Sequence, residues 1–232
     1  MVQQQTREFL KYFGEIEKEL GKITGLDNGH HTTFTHKIEK ARKRVPVIRR
    51  YETELKTFGD LRNLLSHNND LDIAVPSEKT VKRIERIWRH LVQPVTAMDV
   101  AHKNVSIFQD TDTLVELLKT MDENKYTHFP IYHNHRYLGL LTDNGIAYWL
   151  ARHRDRQISL ENVFVKDVFD DDEKKKNYRF VARNESIFDV DDYFEDPLME
   201  ALFVTENGKP TETILGIITG WDILSYQING DG

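Results

Sequence analysis

The chain repeats itself, and this limits its carboxy-terminal part more than any other feature. Ile107-Phe108, Asp112-Thr113-Leu114 and Met121 recur 73 positions later as Phe180-Val181, Glu185-Ser186-Ile187 and Phe194. Phe129-Pro130-Ile131-Tyr132 recurs at the same offset as Leu202-Phe203-Val204-Thr205. Gly139-Leu140-Leu141-Thr142 recurs 77 positions later as Gly216-Ile217-Ile218-Thr219. Four residues have therefore entered the second copy, and the polar turn around Gly208-Lys209-Pro210-Thr211 is where such an insertion costs least. A period of this length marks one supersecondary unit used twice. Each copy reads strand, helix, strand, hairpin, strand, helix. The first helix spans about 113–124 in one copy and 186–196 in the other, with hairpin turns at 133–136 and 206–213.

The last strand–helix junction, Gly216-Ile217-Ile218-Thr219-Gly220-Trp221-Asp222, together with the repeat, resembles the CBS domain family. The resemblance implies two modules, 95–152 and 153–232, packed through their sheets, with interface clefts for an adenine nucleotide or relative: AMP, ATP, S-adenosylmethionine or a cyclic dinucleotide. In that setting Gly216 lets the backbone approach a ligand. Thr219 offers a hydroxyl to a phosphate at the helix amino terminus, and Asp222 offers two oxygens to a ribose. The same Thr-x-x-Asp spacing also reads as a capping box. The first copy keeps Thr142 but has Gly145 where the second has Asp222. One good site and one weak or empty site are the expectation. His128, just before the strand at Phe129, occupies the place of a basic phosphate contact or of a structural histidine. The resemblance further implies that residues 100–106, leading into the first copy, give backbone contacts to the purine.

Residues 1–94 read as an antiparallel helical bundle, so the whole chain is α+β. Phe9, Phe13, Ile16, Leu20 and Ile23 form one apolar stripe. A second helix carries Phe34, Ile38 and Ala41, is kinked or restarted at Pro46, and continues through Val47, Ile48, Tyr51 and Leu55. A third runs through Phe58, Leu61, Leu64 and Leu65. A fourth starts at the N-cap Ser77, faces the core with Val81, Ile84, Ile87, Trp88 and Leu91, and ends at Pro94. The sequence Arg62-Asn63-Leu64-Leu65-Ser66-His67 resembles the HEPN family of helical domains. That resemblance implies a metal-independent ribonuclease with His67 as general acid/base and Arg62 against the phosphate, while Asn63 shares a helix face with His67. Equally, His67 sits where a helix carboxy terminus favours a cation and Arg62 reads as a surface partner. His30, His31 and His36 lack the further ligand that a metal site requires.

Charge divides the chain near Pro94. The net charge is −6. Residues 1–94 hold 18 Lys and Arg against 13 Asp and Glu, and the remainder holds 14 against 25. Only the first part suits a polyanion such as RNA. Cysteine is absent, which excludes disulfides and thiolate metal sites and points to a reducing cytoplasm. No apolar run reaches the ~20 residues of a membrane span, and the amino terminus lacks a secretory pattern. The block Asp170-Asp171-Asp172-Glu173 before Lys174-Lys175-Lys176 reads as a mobile loop without the alternation of a calcium site. The faces Leu114-Leu117-Leu118-Met121 and Ile146-Trp149-Leu150 carry apolar surface that suggests a homodimer. The leading expectation is a regulatory protein whose modules bind a nucleotide and signal to the helices. The alternatives are a nucleotide-gated ribonuclease and a dimerisation or docking scaffold.

Overall fold

A computed structural model describes residues 2–26, 32–67, 74–155 and 157–230. The chain forms two compact units, Met1–Val95 and Thr96–Gly232.

The first unit is helical: α1 Val2–Thr24, α2 Phe34–Ala41, α3 Pro46–Arg50, α4 Glu52–His67 and α5 Glu78–Val92. Phe9, Phe13, Ile16 and Leu20 are buried on one face of α1, but Ile23 is 38% exposed. The stripe ends one turn early because the chain turns at Gly25. Thr24 is buried instead, its hydroxyl donating to the Leu20 carbonyl at 2.6 Å. Ser77 caps its helix as expected, accepting from the Thr80 N–H, and Thr33 does the same for α2 by accepting from the His36 N–H. Pro46 restarts the chain as the first residue of α3. The next break falls at Tyr51, so Leu55 and Phe58 share α4 rather than lying on separate helices. Leu64, expected in the stripe, is exposed. Phe58 meets Phe9 edge-on at 5.7 Å, and Phe34 meets Phe13 at 4.5 Å. Glu54 of α4 holds Arg83 of α5 through two bonds of 2.7 Å.

The second unit begins with α6 Ala97–Val100. The first copy follows as β1 Phe108–Gln109, α7 Leu114–Asn124, β2 His128–His133, β3 Arg136–Thr142 and α8 Asp143–Arg152. A 3-10 turn, Leu160–Asn162, and α9 Val165–Phe169 lead into the second: β4 Tyr178–Ala182, α10 Ile187–Tyr193, β5 Ala201–Thr205, β6 Gly216–Ile218 and α11 Gly220–Gly230. In each sheet the first strand runs parallel to the second and the third antiparallel to it, in the orders β1-β2-β3 and β4-β5-β6. The hairpin at 133–136 turns on Asn134 and His135, with φ of 46° and 66°, the conformation a two-residue primed turn demands. In the longer second hairpin the Glu212 carboxylate accepts from the backbone and side chain of Asn207, which holds its pKa at about 2.

The two copies exchange their leading segments. The buried cluster of the first copy includes Val163, Val165, Val168 and Phe169, which precede the second copy. Val165 N–H donates to the Asp112 carbonyl and Leu114 N–H to the Val163 carbonyl, both at 2.8 Å. Reciprocally, Ala97 and Met98 donate to the carbonyls of Glu185 and Arg183. A cut at 152 therefore severs α9 from the core it completes. The sheets meet through an aromatic cluster in which Tyr137 stands edge-on to Tyr132, Tyr178, Phe180 and Phe203, with centroids 5.0–5.6 Å apart. The Tyr137 hydroxyl is buried without a hydrogen-bond partner, and burial drives its pKa upward.

Two expectations are corrected here. Leu114, Leu117, Ile146 and Trp149 are buried in the first copy's own core, with Leu118 and Met121 packed against it. The 3-10 turn and α9 cover most of these two faces, which weakens the apolar-surface argument for a second chain, while Leu150 stays 41% exposed. The block 170–176 is not a free loop either: Asp172 is buried.

Candidate functional site

The site is built where β6 runs into α11. Thr219 stands between them, and Asp222 lies in the first helical turn. The Asp222 Oδ2 accepts from both the Thr219 N–H and the Thr219 hydroxyl, at 2.7 Å each. That half of the capping spacing is formed, and it consumes the only hydroxyl proton of Thr219. With the hydroxyl so engaged, Thr219 can offer a phosphate no donor. The Asp222 Oδ1 lies 3.0 Å from the Nε2 of His102. The Asp222 side chain is 9% exposed and that of His102 68%, so His102 is the partner free to move.

His102 reaches Asp222 because its backbone is tied to β6. His102 and Ile217 exchange two N–H···O bonds of 2.9 Å. Gly216 makes this crossing possible: a Cβ there would lie 2.8 Å from the Ala101 Cβ and 3.0 Å from the His102 carbonyl oxygen. The close neighbour that requires glycine is the leading segment of the chain.

These groups border a cleft of about 360 Å³, within the range of small-molecule sites. His102, Asn104, Val105 and Ser106 form one wall, so part of the expected 100–106 segment is present. Tyr126 and His128 form another, and Trp221 and Asp222 a third. Trp221 is 71% exposed and presents its ring at the rim. The His128 Nδ1 lies 2.8 Å from the Thr127 hydroxyl, while its Nε2 is buried, with the nearest Glu200 oxygen at 3.5 Å. Burial pushes the His128 pKa below its ordinary value, against the opposing pull of Glu200 and Asp143.

The corresponding junction of the first copy is arranged differently. Thr142 caps α8 by accepting from the Gly145 N–H at 3.1 Å. Its own N–H and hydroxyl donate to the Asp172 Oδ2 at 2.8 and 3.0 Å. Thr142 is buried and is not among the residues bordering the cleft. Asp172, Trp221 and His102 were not singled out in advance as ligand-facing or site-filling groups. The signal for Asp172 lies in the two leading segments, where Asp99-Val100 and Lys103-Asn104 match Asp167-Val168 and Lys176-Asn177 with different spacing.

In the helical unit, the Arg62 guanidinium donates to the Asn63 side chain at 3.2 Å and lies over the Phe13 ring at 5.9 Å. His67 ends α4, but its side chain lies outside the described residues, as do Asn68, Asn69, His30 and His31. Arg42 pairs with Glu52 at 2.7 Å. Among the described residues, no group of three or more His, Asp or Glu side chains is placed to hold a metal ion, and no helix is long and apolar enough to cross a membrane.

Residues 97–152 match the family model of the CBS domain. No curated protein matches the chain. Similar solved structures include a CBS-domain-containing protein of Kribbella flavida, 13% identical, covering 58% of this chain and 99% of that one, with a TM-score of 0.46. A CBS domain pair solved with 5′-methylthioadenosine and S-adenosyl-L-methionine is 18% identical, over 60% of this chain and 99% of that one, at 0.44. A hexameric CBS-CP12 protein from bloom-forming cyanobacteria is 20% identical, over 60% and 76%, at 0.46.

Proposed function

Starting from the CBS domain at 97–152, we propose that the two copies act as a CBS pair that binds one adenine nucleotide, or a related adenosine ligand, in the cleft at Asp222. The chain would then be a regulatory protein of the reducing cytoplasm that a cysteine-free sequence suits. The observation that carries this reading is the Asp222 carboxylate, anchored by Thr219 and facing a cleft of about 360 Å³ walled by two histidines and an exposed tryptophan. Each group has a role in the chemistry of a nucleotide. Trp221 offers a flat apolar face to a purine. Oδ1 of Asp222 accepts ribose hydroxyls once His102 swings away, and its exposure leaves it room to do so. Lys125 borders the cleft as the group suited to phosphate, while buried His128 helps to shape the wall. Binding regulates the helical unit only if the ligand prefers one of two states of the protein.

Calorimetry with AMP, ATP and S-adenosylmethionine tests the reading. Asp222→Asn keeps an oxygen for Thr219 but replaces the second acceptor with an amide. A charge-assisted hydrogen bond contributes about 1.5–3 kcal/mol, so affinity should fall about ten- to hundredfold. Equal affinity in wild type and variant would remove Asp222 from the site.

A further inference from the structure

The two leading segments correspond residue for residue except at one place. Asp99-Val100-Ala101 matches Asp167-Val168-Phe169 at a spacing of 68, and Lys103-Asn104 matches Lys176-Asn177 at 73. The packing gives the same alignment. Ala101 and the His102 carbonyl abut Gly216, while Phe169 and the Lys175 carbonyl abut Gly139. His102 pairs with Ile217, and the Lys175 carbonyl accepts from the Leu140 N–H at 3.1 Å. Residues 170–174 are therefore five extra residues between Phe169 and Lys175.

These residues turn inward. Asp172 is 2% exposed. Its Oδ2 takes from Thr142 the same two bonds that Asp222 takes from Thr219, and its Oδ1 accepts from the Lys174 N–H at 2.8 Å. A Cβ on Gly145 would lie 2.3 Å from the Asp172 Oδ2, so the carboxylate fills the space that Gly145 leaves. Lys174 then pairs with Glu200 at 2.5 Å, a second latch from the same insert.

We propose that residues 170–174 are a built-in occupant of the first cleft, supplying from the leading segment the carboxylate that Gly145 lacks and closing that cleft to exchangeable ligands. A phosphate-bearing ligand entering there would have to break the three bonds to Asp172. The pair is thereby left with one exchangeable cleft, a consequence that rests on the nucleotide reading of the second.

Two measurements on the full chain decide this. The first is amide exchange at Thr142, with tryptic cleavage at 174–176, in wild type and Asp172→Ala. The wild type should be protected, and the variant should exchange and be cut at least tenfold faster. Unchanged exchange and cleavage would overturn the proposal, whatever the second cleft binds. The second is calorimetry with AMP as probe on a variant lacking 170–174 and carrying Gly145→Asp. It should bind two AMP per chain where the wild type binds one, and Asp222→Asn on that background should remove one. A shortened variant that keeps its Asp222-dependent site but gains no second one would overturn the proposal. A wild type that binds no AMP would count against the nucleotide reading alone, and the exchange measurement would still decide the insert.

Discussion

His128 carries the clearest pH signature among the individual residues. Burial lowers its folded pKa below the ordinary value of 6.5, against the pull of Glu200. The folded state therefore favours neutral imidazole, and the unfolded chain binds more protons between the two pKa values. Stability from this group is complete above about pH 6.5 and falls as pH drops through the depressed folded value. Denaturant melts from pH 7 to 5 should show the loss in wild type and a shallower slope in His128→Gln; parallel slopes would contradict the assignment. Gly145 makes a second prediction. Gly145→Ala forces a methyl into the Asp172 carboxylate, and overpacking typically costs about 1–3 kcal/mol. Asp172→Ala in the same chain should relieve part of that cost, giving a coupling of about 0.5 kcal/mol or more in a double-mutant cycle. Simple additivity would mean that the two residues do not compete for one space.

Much of the element scale was legible because local chemistry sets it. Ser77 before Glu78 announced a helix start, and its side chain accepts the expected N–H. The repeat offsets placed α7 against α10 and β2 against β5 because one packing solution was used twice. Tyr51 was not legible as a break, since apolar residues at helical spacing stand on both sides of it. Nor was the exchange of α6 and α9, because pairing between segments about 50–90 residues apart leaves no local trace. In the site, the junction motif exposed Thr219 and Asp222, but His102 is brought there by a bridge to Ile217 that no spacing announces. Asp172 was hidden for a related reason: a run of four acids reads as solvent-exposed until an insertion forces one of them inward. Removing the cap with Ser77→Ala should cost α5 about 1 kcal/mol. For a unit of this size that lowers the melting temperature by about 4–8 °C, measurable by circular dichroism; an unchanged melt would mean the cap contributes nothing.

Over the whole molecule, charge separates a basic helical unit from an acidic pair of copies, and the pair carries the better-defined chemistry. Arg62, turned onto Asn63 and Phe13, gives the ribonuclease resemblance no structural support. Single-stranded RNA incubated with the protein and chelator should stay intact. Cleavage that His67→Ala slows by ~10²–10⁴-fold would restore that reading. The most direct test of the central claim is the calorimetric titration of AMP, ATP and S-adenosylmethionine into the full chain and its Asp222→Asn variant. One of these ligands should bind at one per chain, with an affinity about ten- to hundredfold lower in the variant. No binding by the wild type, or binding that the variant leaves unchanged, would contradict the assignment of the Asp222 cleft.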